Sequence, residues 1–348
     1  MERRKSKEIK IGSVKIGAGH PIAVQSMTFT KTANADATVK QILSLEHAGC
    51  DIVRFSVPDE ESAKSISYIK EHTHIPLVAD IHFNYNLALA ALERGIDKIR
   101  INPGNIGSPE RIKAVADACR MRGVPIRIGV NGGSLEKHIL AKYGSPTPEA
   151  LCESALYHVR LLEQFDFTDI VVSIKSSDVA DTVRANRLFA EKTDYPLHLG
   201  VTEAGTERMG IIKSSAGIGS LLLDGIGDTI RVSLTDEVEK EVAAARDLLK
   251  ALGLRGGVNI VSCPTCARTN IDVIGLATRL HALLDDCEKN IKVAVMGCAV
   301  NGPGEAKDAD IGIAGGMGEA LLIKHGEIVG KIPEDRVIET LMAEIEKL

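Results

Sequence analysis

From about residue 20 to residue 250, short β-branched apolar runs alternate with polar-faced segments of helical period. Apolar runs of this kind, bounded by turn residues, are typical of buried strands, and the 3.6-residue period between them is typical of helices. The predicted strands span residues 22–27, 52–57, 77–83, 98–102, 126–130, 170–175, 197–202 and 229–234. Eight strands alternating with helices predict a (β/α)8 TIM barrel.

Residues typical of helix ends support this interpretation. We expect a helix over 37–48 that follows a capping residue, Asp36, and a helix over 109–122 that ends at Gly123. Further helices are predicted over 60–72 and 147–165. A doubly wound open sheet is the competing fold, but eight strands without a G-x-G-x-x-G segment after the first of them favour the barrel.

A second unit follows the glycine-rich segment 253–257. Its predicted elements are a strand over 258–262, a helix over 270–289, strands over 291–296 and 311–314, a hairpin around 325–326 and a helix from 333. The sequence therefore predicts a barrel domain over 1–252, a linker over 253–257 and a small α+β domain over 258–348.

Composition narrows the class of protein. A net charge of −5 gives no overall positive charge to attract phosphates, and 3% aromatic residues without Trp give few rings on which bases could stack. Nucleic acid is therefore excluded as a partner. We find no apolar run of about 18 residues and no apolar signal core after the basic N-terminus, which predicts a cytoplasmic protein without a membrane span. Seven cysteines in such a chain indicate reduced thiols and metal binding rather than disulfides.

Cations gather where the predicted strands end. In a barrel these C-terminal ends face the active site, and alternate residues of a strand share a face. The candidate substrate-binding residues on these grounds are Arg54, Arg100, Asn102, Arg127, Asn131, Ser173, Lys175, His198 and Arg231. Only Asp80 and Glu203 are carboxylates at matching positions. Because unpaired buried cations are costly and Arg binds phosphate oxygens bidentately, the pattern predicts a phosphate ligand, and a diphosphate in particular.

Individual residues of this set have alternative roles. Any one Arg can point outward and pair with a surface carboxylate, and Lys175 can be a Schiff-base lysine, as in barrel aldolases. His198 is interpreted as a hydrogen-bonded or substrate-contacting residue rather than a metal ligand. Glu203 is either a proton donor or hydroxyl contact, or a carboxylate that orients Arg231 or Lys175.

Three cysteines and a glutamate dominate the second unit: Cys263, Cys266, Cys298 and Glu305. Thiolates select iron–sulfur clusters, Cu(I) or zinc, and three of them leave one position of a four-iron cluster to a weaker ligand. Structural zinc is the alternative, although the second ligand pair it usually needs is missing. Cys287 is at helical spacing behind apolar residues and is interpreted as a core residue, so we do not count it as a ligand.

Two motifs, Ser262-Cys-Pro-Thr-Cys-Ala-Arg268 and Met296-Gly-Cys-Ala-Val-Asn-Gly-Pro-Gly-Glu305, resemble the signature of the 4-hydroxy-3-methylbut-2-enyl diphosphate synthase family of the methylerythritol phosphate route to isoprenoids. The resemblance extends over the whole chain. It includes the segments 21–28, 53–57 and 99–104. Without an extra large domain or transit peptide, the chain resembles the compact bacterial members.

The resemblance implies an iron–sulfur oxidoreductase in which Cys263, Cys266 and Cys298 hold a [4Fe-4S] cluster with Glu305 as a displaceable fourth ligand. The implied substrate is 2-C-methyl-D-erythritol 2,4-cyclodiphosphate, reduced with two electrons and opened with loss of water. Its diphosphate is expected among five cations, Arg54, Arg100, Arg127, Lys175 and Arg231. Asn131 and the second catalytic candidate, Glu203, are expected near the carbon skeleton. The cluster domain is expected to be sulfite/nitrite reductase-like. Flavodoxin or ferredoxin is the implied electron donor, and the implied assembly is a homodimer in which each cluster domain caps the partner's barrel.

Two rival functions remain at this stage. One is a pterin- or folate-binding barrel fused to an electron-transfer module, which predicts a planar stacking site with fewer Arg residues. The other is a non-catalytic protein with a structural zinc domain that binds a phosphorylated regulator. Metal and sulfide content separates the cluster from the zinc site.

Overall fold

The computed structural model describes residues 2–285 and 287–348. Two compact units divide the chain, Met1–Leu252 and Gly253–Leu348. The strands of the first unit are β1 (Ile9–Ile11), β2 (Val14–Ile16), β3 (Ala23–Met27), β4 (Ile52–Ser56), β5 (Leu77–Asp80), β6 (Lys98–Ile101), β7 (Ile126–Asn131), β8 (Ile170–Lys175), β9 (His198–Leu199) and β10 (Thr229–Ile230). Its α-helices are α1 (Ala35–His47), α2 (Glu60–Glu71), α3 (Tyr85–Glu93), α4 (Pro103–Ile106), α5 (Pro109–Arg122), α6 (Lys137–Tyr143), α7 (Pro148–Glu163), α8 (Val179–Ala190), α9 (Glu207–Leu223) and α10 (Val238–Ala251).

Eight parallel strands form the sheet of this unit, in the order β8-β7-β6-β5-β4-β3-β10-β9. A parallel bridge between Val172 and Leu197 joins the two ends of that order and closes the barrel. The predicted TIM barrel is thus confirmed. Three strands are clearly shorter than expected. β5 ends at Asp80 instead of residue 83, and β9 and β10 have two residues each, because the residues that follow these strands leave the ladder to form the loops at the barrel mouth.

Helix ends follow local capping chemistry. Helix α5 begins and ends where predicted, and Gly123 after it adopts the left-handed conformation with φ 63°. The predicted cap of α1 was wrong. Asn34, not Asp36, caps this helix, because its side-chain oxygen accepts a hydrogen bond from Ala37 N, whereas Asp36 lies inside the first turn.

A hairpin, β1–β2, closes the N-terminal end of the barrel. Ile9, Ile11 and Ile16 are buried and pack against residues at the starts of barrel strands, including Ile52 and Val171. Apolar contact of this kind excludes water from the end of the barrel opposite the mouth. The mouth is therefore the end of the barrel at which the described residues leave room for a polar ligand.

Residues 3–7 form a strap beneath the two short strands. Asp228, directly before β10, accepts a hydrogen bond from Ser6 Oγ at 2.7 Å and one from Leu197 N at 2.9 Å. Arg3 forms an ion pair with the same carboxylate at 3.3 Å. The strap therefore stabilises β9 and β10, which have few ladder hydrogen bonds of their own.

Replacing Asp228 by alanine is expected to lower the free energy of unfolding by about 2–4 kcal/mol, because buried donors would lose their acceptor. Urea denaturation measures this change. Asp224→Ala is the matched control, since its ion pair with Arg187 is exposed to solvent and such pairs contribute about 0–1 kcal/mol. Equal losses in the two variants would contradict a stabilising role for the strap.

The second unit is built on a mixed sheet in the order β11-β12-β13-β14-β15, with β11 to β13 parallel and the last two strands antiparallel. Its strands are β11 (Asn259–Ser262), β12 (Lys292–Met296), β13 (Ile311–Gly315), β14 (Glu319–Lys324) and β15 (Glu327–Pro333). Its helices are α11 (Val273–Leu284), α12 (Gly302–Glu305) and α13 (Val337–Ile345). The predicted α+β class of this unit is confirmed. The hydrophobic core lies between the sheet and helices α11 and α13.

The helix predicted over 270–289 is shorter than expected. It begins after Asp272, whose carboxylate accepts from Gly275 N, and ends at Leu284. Cys287 therefore follows the helix instead of lying within it, although it does pack against the core. Residue 286 of the predicted helix lies outside the described residues. Within the residues that the structure describes, no helix has the length and apolarity needed to cross a membrane.

Candidate active site

A cavity of about 190 Å³ lies at the C-terminal ends of the barrel strands. It is lined by residues from most of the strands: Arg54, Asp80, His82, Arg100, Arg127, Gly129, Val130, Asn131, Ser173, Lys175, Thr202, Arg231 and Ser233. Seven of the nine candidate substrate-binding residues belong to this lining, including all five cations. The barrel thus brings side chains that are far apart in sequence to one small volume.

Asp80 anchors one side of the cavity. Its two oxygens lie 3.7 Å from Arg54 Nε and 3.2 Å from Arg100 Nη1. Burial alone would raise the pKa of Asp80, but the neighbouring Arg54 and Arg100 charges outweigh it and hold the pKa below its ordinary value. Asp80 is therefore ionised, and it orients two guanidinium groups towards the cavity.

Arg127 lies deeper and is only 1% exposed. Its Nη1 donates to Ser173 Oγ at 2.9 Å, while Nε and Nη2 are buried without a hydrogen-bond partner in the described part of the chain. Beneath it, Lys98 is fully buried, and its Nζ lies 3.4 Å from Gln25 Oε1. Buried donors without acceptors are costly, so this end of the barrel favours a bound anion.

Glu241 supplies a carboxylate that the sequence analysis missed. It lies on α10, is buried, and pairs with Arg231 at 3.3 Å while accepting from Leu234 N at 2.9 Å. The available signal was its position on the buried face of α10, next to Val242. Asp80 and Glu203 were predicted as the carboxylates at the strand ends, and Glu241 adds one from a helix. In the described part of the chain, the five cations of this cavity face two paired carboxylates, Asp80 and Glu241.

Three candidate residues lie outside the cavity lining. Asn102 is buried and accepts from Gly104 N at 3.1 Å, so it caps α4. His198 is fully buried, with Nδ1 2.8 Å from Thr229 Oγ1, and burial lowers its pKa well below the ordinary value. Glu203 is exposed and adopts a left-handed backbone conformation with φ 54°, which is uncommon for a residue with a side chain.

A separate cavity, of about 530 Å³, lies within the second unit. Its lining includes the four residues singled out in the sequence, Cys263, Cys266, Cys298 and Glu305. In the described part of the chain, no three His, Cys, Asp or Glu side chains converge tightly enough to hold a single metal ion. The three thiols and the carboxylate instead surround one volume.

Backbone N–H groups lie against the sulfur atoms of these three thiols. Gly297 N donates to Cys263 Sγ at 3.1 Å. The backbone N–H of Arg268 lowers the pKa of Cys266, and those of Asn301 and Val300 lower the pKa of Cys298. In contrast, burial raises the pKa of Cys50 to about 12. Three thiols with donors of this kind around one cavity fit a multi-atom cluster with thiolate ligands.

Comparison with known proteins gives consistent results for both units. The family model for the GcpE TIM-barrel domain matches residues 6–246, and that for the GcpE protein C-terminal domain matches residues 259–347. A relative from Caldicellulosiruptor saccharolyticus, named 4-hydroxy-3-methylbut-2-en-1-yl diphosphate synthase (flavodoxin), is 58% identical over 99% of both chains. A relative of the same name from Caldanaerobacter subterraneus subsp. tengcongensis is 59% identical over 99% of this chain and 98% of its own.

Among solved structures, the dihydropteroate synthase from Stenotrophomonas maltophilia is similar over 71% of this chain and 97% of its own, with a TM-score of 0.54 and 16% identity. At that identity the likeness shows the barrel fold alone. The two family models together extend over nearly the whole chain, and the relatives match it from end to end. The chain therefore belongs to the GcpE family of 4-hydroxy-3-methylbut-2-en-1-yl diphosphate synthases.

Proposed function

We propose that the protein is an iron–sulfur oxidoreductase of isoprenoid biosynthesis. It would reduce and open 2-C-methyl-D-erythritol 2,4-cyclodiphosphate to give 4-hydroxy-3-methylbut-2-enyl diphosphate. The names of the full-length relatives support this reaction. The observation in the structure that carries the proposal is the cavity in which five cations face two paired carboxylates, since a diphosphate supplies the missing negative charge.

The barrel residues would bind and orient the diphosphate. Arg100 and Arg54 are held by Asp80, so their free N–H groups are directed before a ligand arrives. Arg127 has two buried donors without a partner among the described residues, and phosphate oxygens would satisfy them. Such preorganised donors keep their orientation as charge redistributes on the departing phosphate oxygen, which lowers the barrier to ring opening. We assign contact with the carbon skeleton to Asn131, which lies on the same lining.

The second unit would hold a [4Fe-4S] cluster through Cys263, Cys266 and Cys298, with Glu305 as the fourth ligand. When bound, a cluster of this type supplies electrons one at a time and offers an iron that accepts an oxygen ligand. Glu305 is exposed at the end of α12, so its carboxylate has room to move away and admit the substrate. We assign proton delivery, or the binding of a substrate hydroxyl, to Glu203.

The relatives' names contain flavodoxin, so we propose a flavodoxin as the electron donor of this protein. The test of the proposed function is an anaerobic assay of the reconstituted protein with the cyclodiphosphate and dithionite, with the product identified by its mass. Metal analysis of anaerobically purified protein is the companion measurement. The cluster predicts about four iron and four sulfide per chain, and a structural zinc site predicts about one zinc without sulfide.

Affinity for inorganic diphosphate is expected to fall at alkaline pH. Burial lowers the pKa of Lys175 well below its ordinary value, and the neighbouring Arg231 and Arg127 lower it further. The Lys175 side chain is therefore positively charged below this lowered pKa, and it loses its charge as the pH rises through that pKa. The decline in affinity should begin below the pKa of a free lysine, about 10.4. Calorimetric titrations between pH 7 and 10 measure it, and Lys175→Arg should remove most of the decline. An equal decline in that variant would assign it to another group.

Glu305→Ala is expected to retain iron, because three thiolate ligands remain, and to slow turnover with dithionite by roughly 10- to 100-fold. Glu305→Asp, which keeps a carboxylate, should recover part of the rate. Glu327→Ala, an exposed carboxylate on β15, serves as the control and should match the wild type. Unchanged turnover of Glu305→Ala under the strong reductant would contradict the role of a displaceable ligand.

A further inference from the structure

Two glycines at the barrel mouth lie directly against cations of the cavity. A β-carbon added at Gly129, on β7, would lie 2.4 Å from Arg100 Nε and 2.5 Å from Arg100 Nη2. A β-carbon added at Gly200, just after β9, would lie 2.7 Å from Lys175 Nζ. These separations are far shorter than van der Waals contact. The cations therefore occupy space that is free only because each glycine has no side chain.

Space, rather than backbone conformation, accounts for glycine at these two positions. Neither Gly129 nor Gly200 is among the glycines with positive φ, so other residues can adopt these backbone conformations. The two sites differ in what an added methyl group would meet. At Gly200 it would also lie 2.9 Å from the backbone oxygen of Arg231, which cannot move easily. At Gly129 the three nearest atoms all belong to the Arg100 guanidinium, the mobile end of a flexible side chain.

We propose that Gly129 is a positioning residue that seats the Arg100 guanidinium for diphosphate binding, an inference that rests on the proposed function. Arg100 Nη1 lies 3.2 Å from Asp80 on one side, and the bare α-carbon of Gly129 lies on the other. The guanidinium is confined between them and points into the cavity. A methyl group at position 129 would occupy the space of Arg100 Nε and Nη2 and push the guanidinium out of this seat, so that its fork no longer meets a phosphate in the bidentate geometry that gives such pairs their strength.

Confinement matters because an arginine side chain has many rotamers. An unconfined guanidinium would lose this freedom on binding, which weakens the affinity for the ligand. Gly129 and Asp80 restrict the Arg100 rotamers before the ligand binds. Gly129 does so by close contact with the guanidinium, and Asp80 by its charge. The close contact between Gly129 and Arg100 therefore serves the placement of the Arg100 guanidinium, although Gly129 itself has no functional group.

The test compares Gly129→Ala with wild type in calorimetric titrations of the anaerobically purified holoprotein with inorganic diphosphate. We expect binding about tenfold or more weaker, since a charge-assisted contact is lost, and a KM for the cyclodiphosphate that rises more than kcat falls. Gly133→Ala is the matched control, because a β-carbon there would meet no atom within 4 Å. It should bind like the wild type.

A double-mutant cycle identifies the route of the effect. In an Arg100→Ala background, Gly129→Ala should cause no further loss, because the guanidinium it displaces is gone. Additive losses would overturn the proposal, as would wild-type affinity in the single variant. Folding is safeguarded in this background, since removal of the guanidinium leaves room for the methyl group.

A crystal structure of Gly129→Ala separates this proposal from the proposed function. An Arg100 guanidinium that has left its position between Asp80 and residue 129 supports the seating role even if the wild-type protein neither binds diphosphate nor turns over, results that would overturn the proposed function alone. An unchanged Arg100 position overturns the seating role and leaves the proposed function intact.

Discussion

Cys298→Ala is expected to lose the iron–sulfur cluster and nearly all turnover. Cys298 is one of the three thiols that line the cavity in the described part of the second unit, and its thiolate is stabilised by backbone N–H groups at the start of α12. Loss of one of the three thiolates that hold the cluster should exceed the roughly 10- to 100-fold effect of removing a more weakly bound or outer partner of a metal site. Iron and sulfide analysis, the visible absorption of the anaerobically purified variant and its rate with dithionite measure the result.

Cys287→Ala is the matched control for this variant. Cys287 belongs to the same unit but packs against the hydrophobic core and does not line the cavity. We expect full iron content and turnover from it, with a modest loss of stability from the smaller side chain. Loss of iron from Cys287→Ala together with its retention in Cys298→Ala would show that the ligands are assigned wrongly.

Arg127→Met is expected to stabilise the fold while it weakens diphosphate binding. The guanidinium is 1% exposed, and two of its nitrogens lack partners in the described part of the protein. Replacing a poorly compensated buried charge by an apolar side chain of similar length can raise the free energy of unfolding by about 1–4 kcal/mol. Ser173, which accepts a hydrogen bond from Arg127, keeps another partner in the variant, because its Oγ also donates to Ile128 O at 3.1 Å.

The same variant should bind inorganic diphosphate at least roughly tenfold more weakly, since it loses a charge-assisted contact. Urea denaturation in phosphate-free buffer and calorimetric titration measure the two effects. Arg122→Met, on the exposed end of α5, should change neither quantity by much. A variant that is both less stable and normal in binding would indicate that Arg127 serves the fold rather than the ligand.

Much of the architecture was predictable because local signals act at short range. The Pro109–Arg122 helix has a proline in its first turn and a glycine after its last residue, and both ends were predicted correctly. The α1 cap was misplaced because Asn34 and Asp36 are both good capping residues and only the chain path decides between them. The short β9 and β10 reflect tertiary structure, since the residues that follow them leave the ladder to form loops at the barrel mouth.

The site shows the same limits at longer range. Strand alternation correctly placed the five cations in one cavity, because barrel topology converts strand ends into a shared surface. Glu241 was missed because it reaches Arg231 from a helix, and helix packing against the sheet has no local signature. Asn102 and His198 follow the strand rule yet satisfy internal hydrogen bonds, a choice that depends on neighbours from other segments.

The strap of residues 3–7 has a consequence for the order of events during synthesis. Ser6 and its partner Asp228 are separated by 222 positions in the chain. At about 5–20 residues per second, Ser6 is made roughly 11 to 44 s before Asp228. The strap therefore cannot hold β9 and β10 in place until translation of the barrel is nearly complete. We expect nascent chains halted before residue 228 to be sensitive to protease near their start and to gain protection only when β10 has emerged.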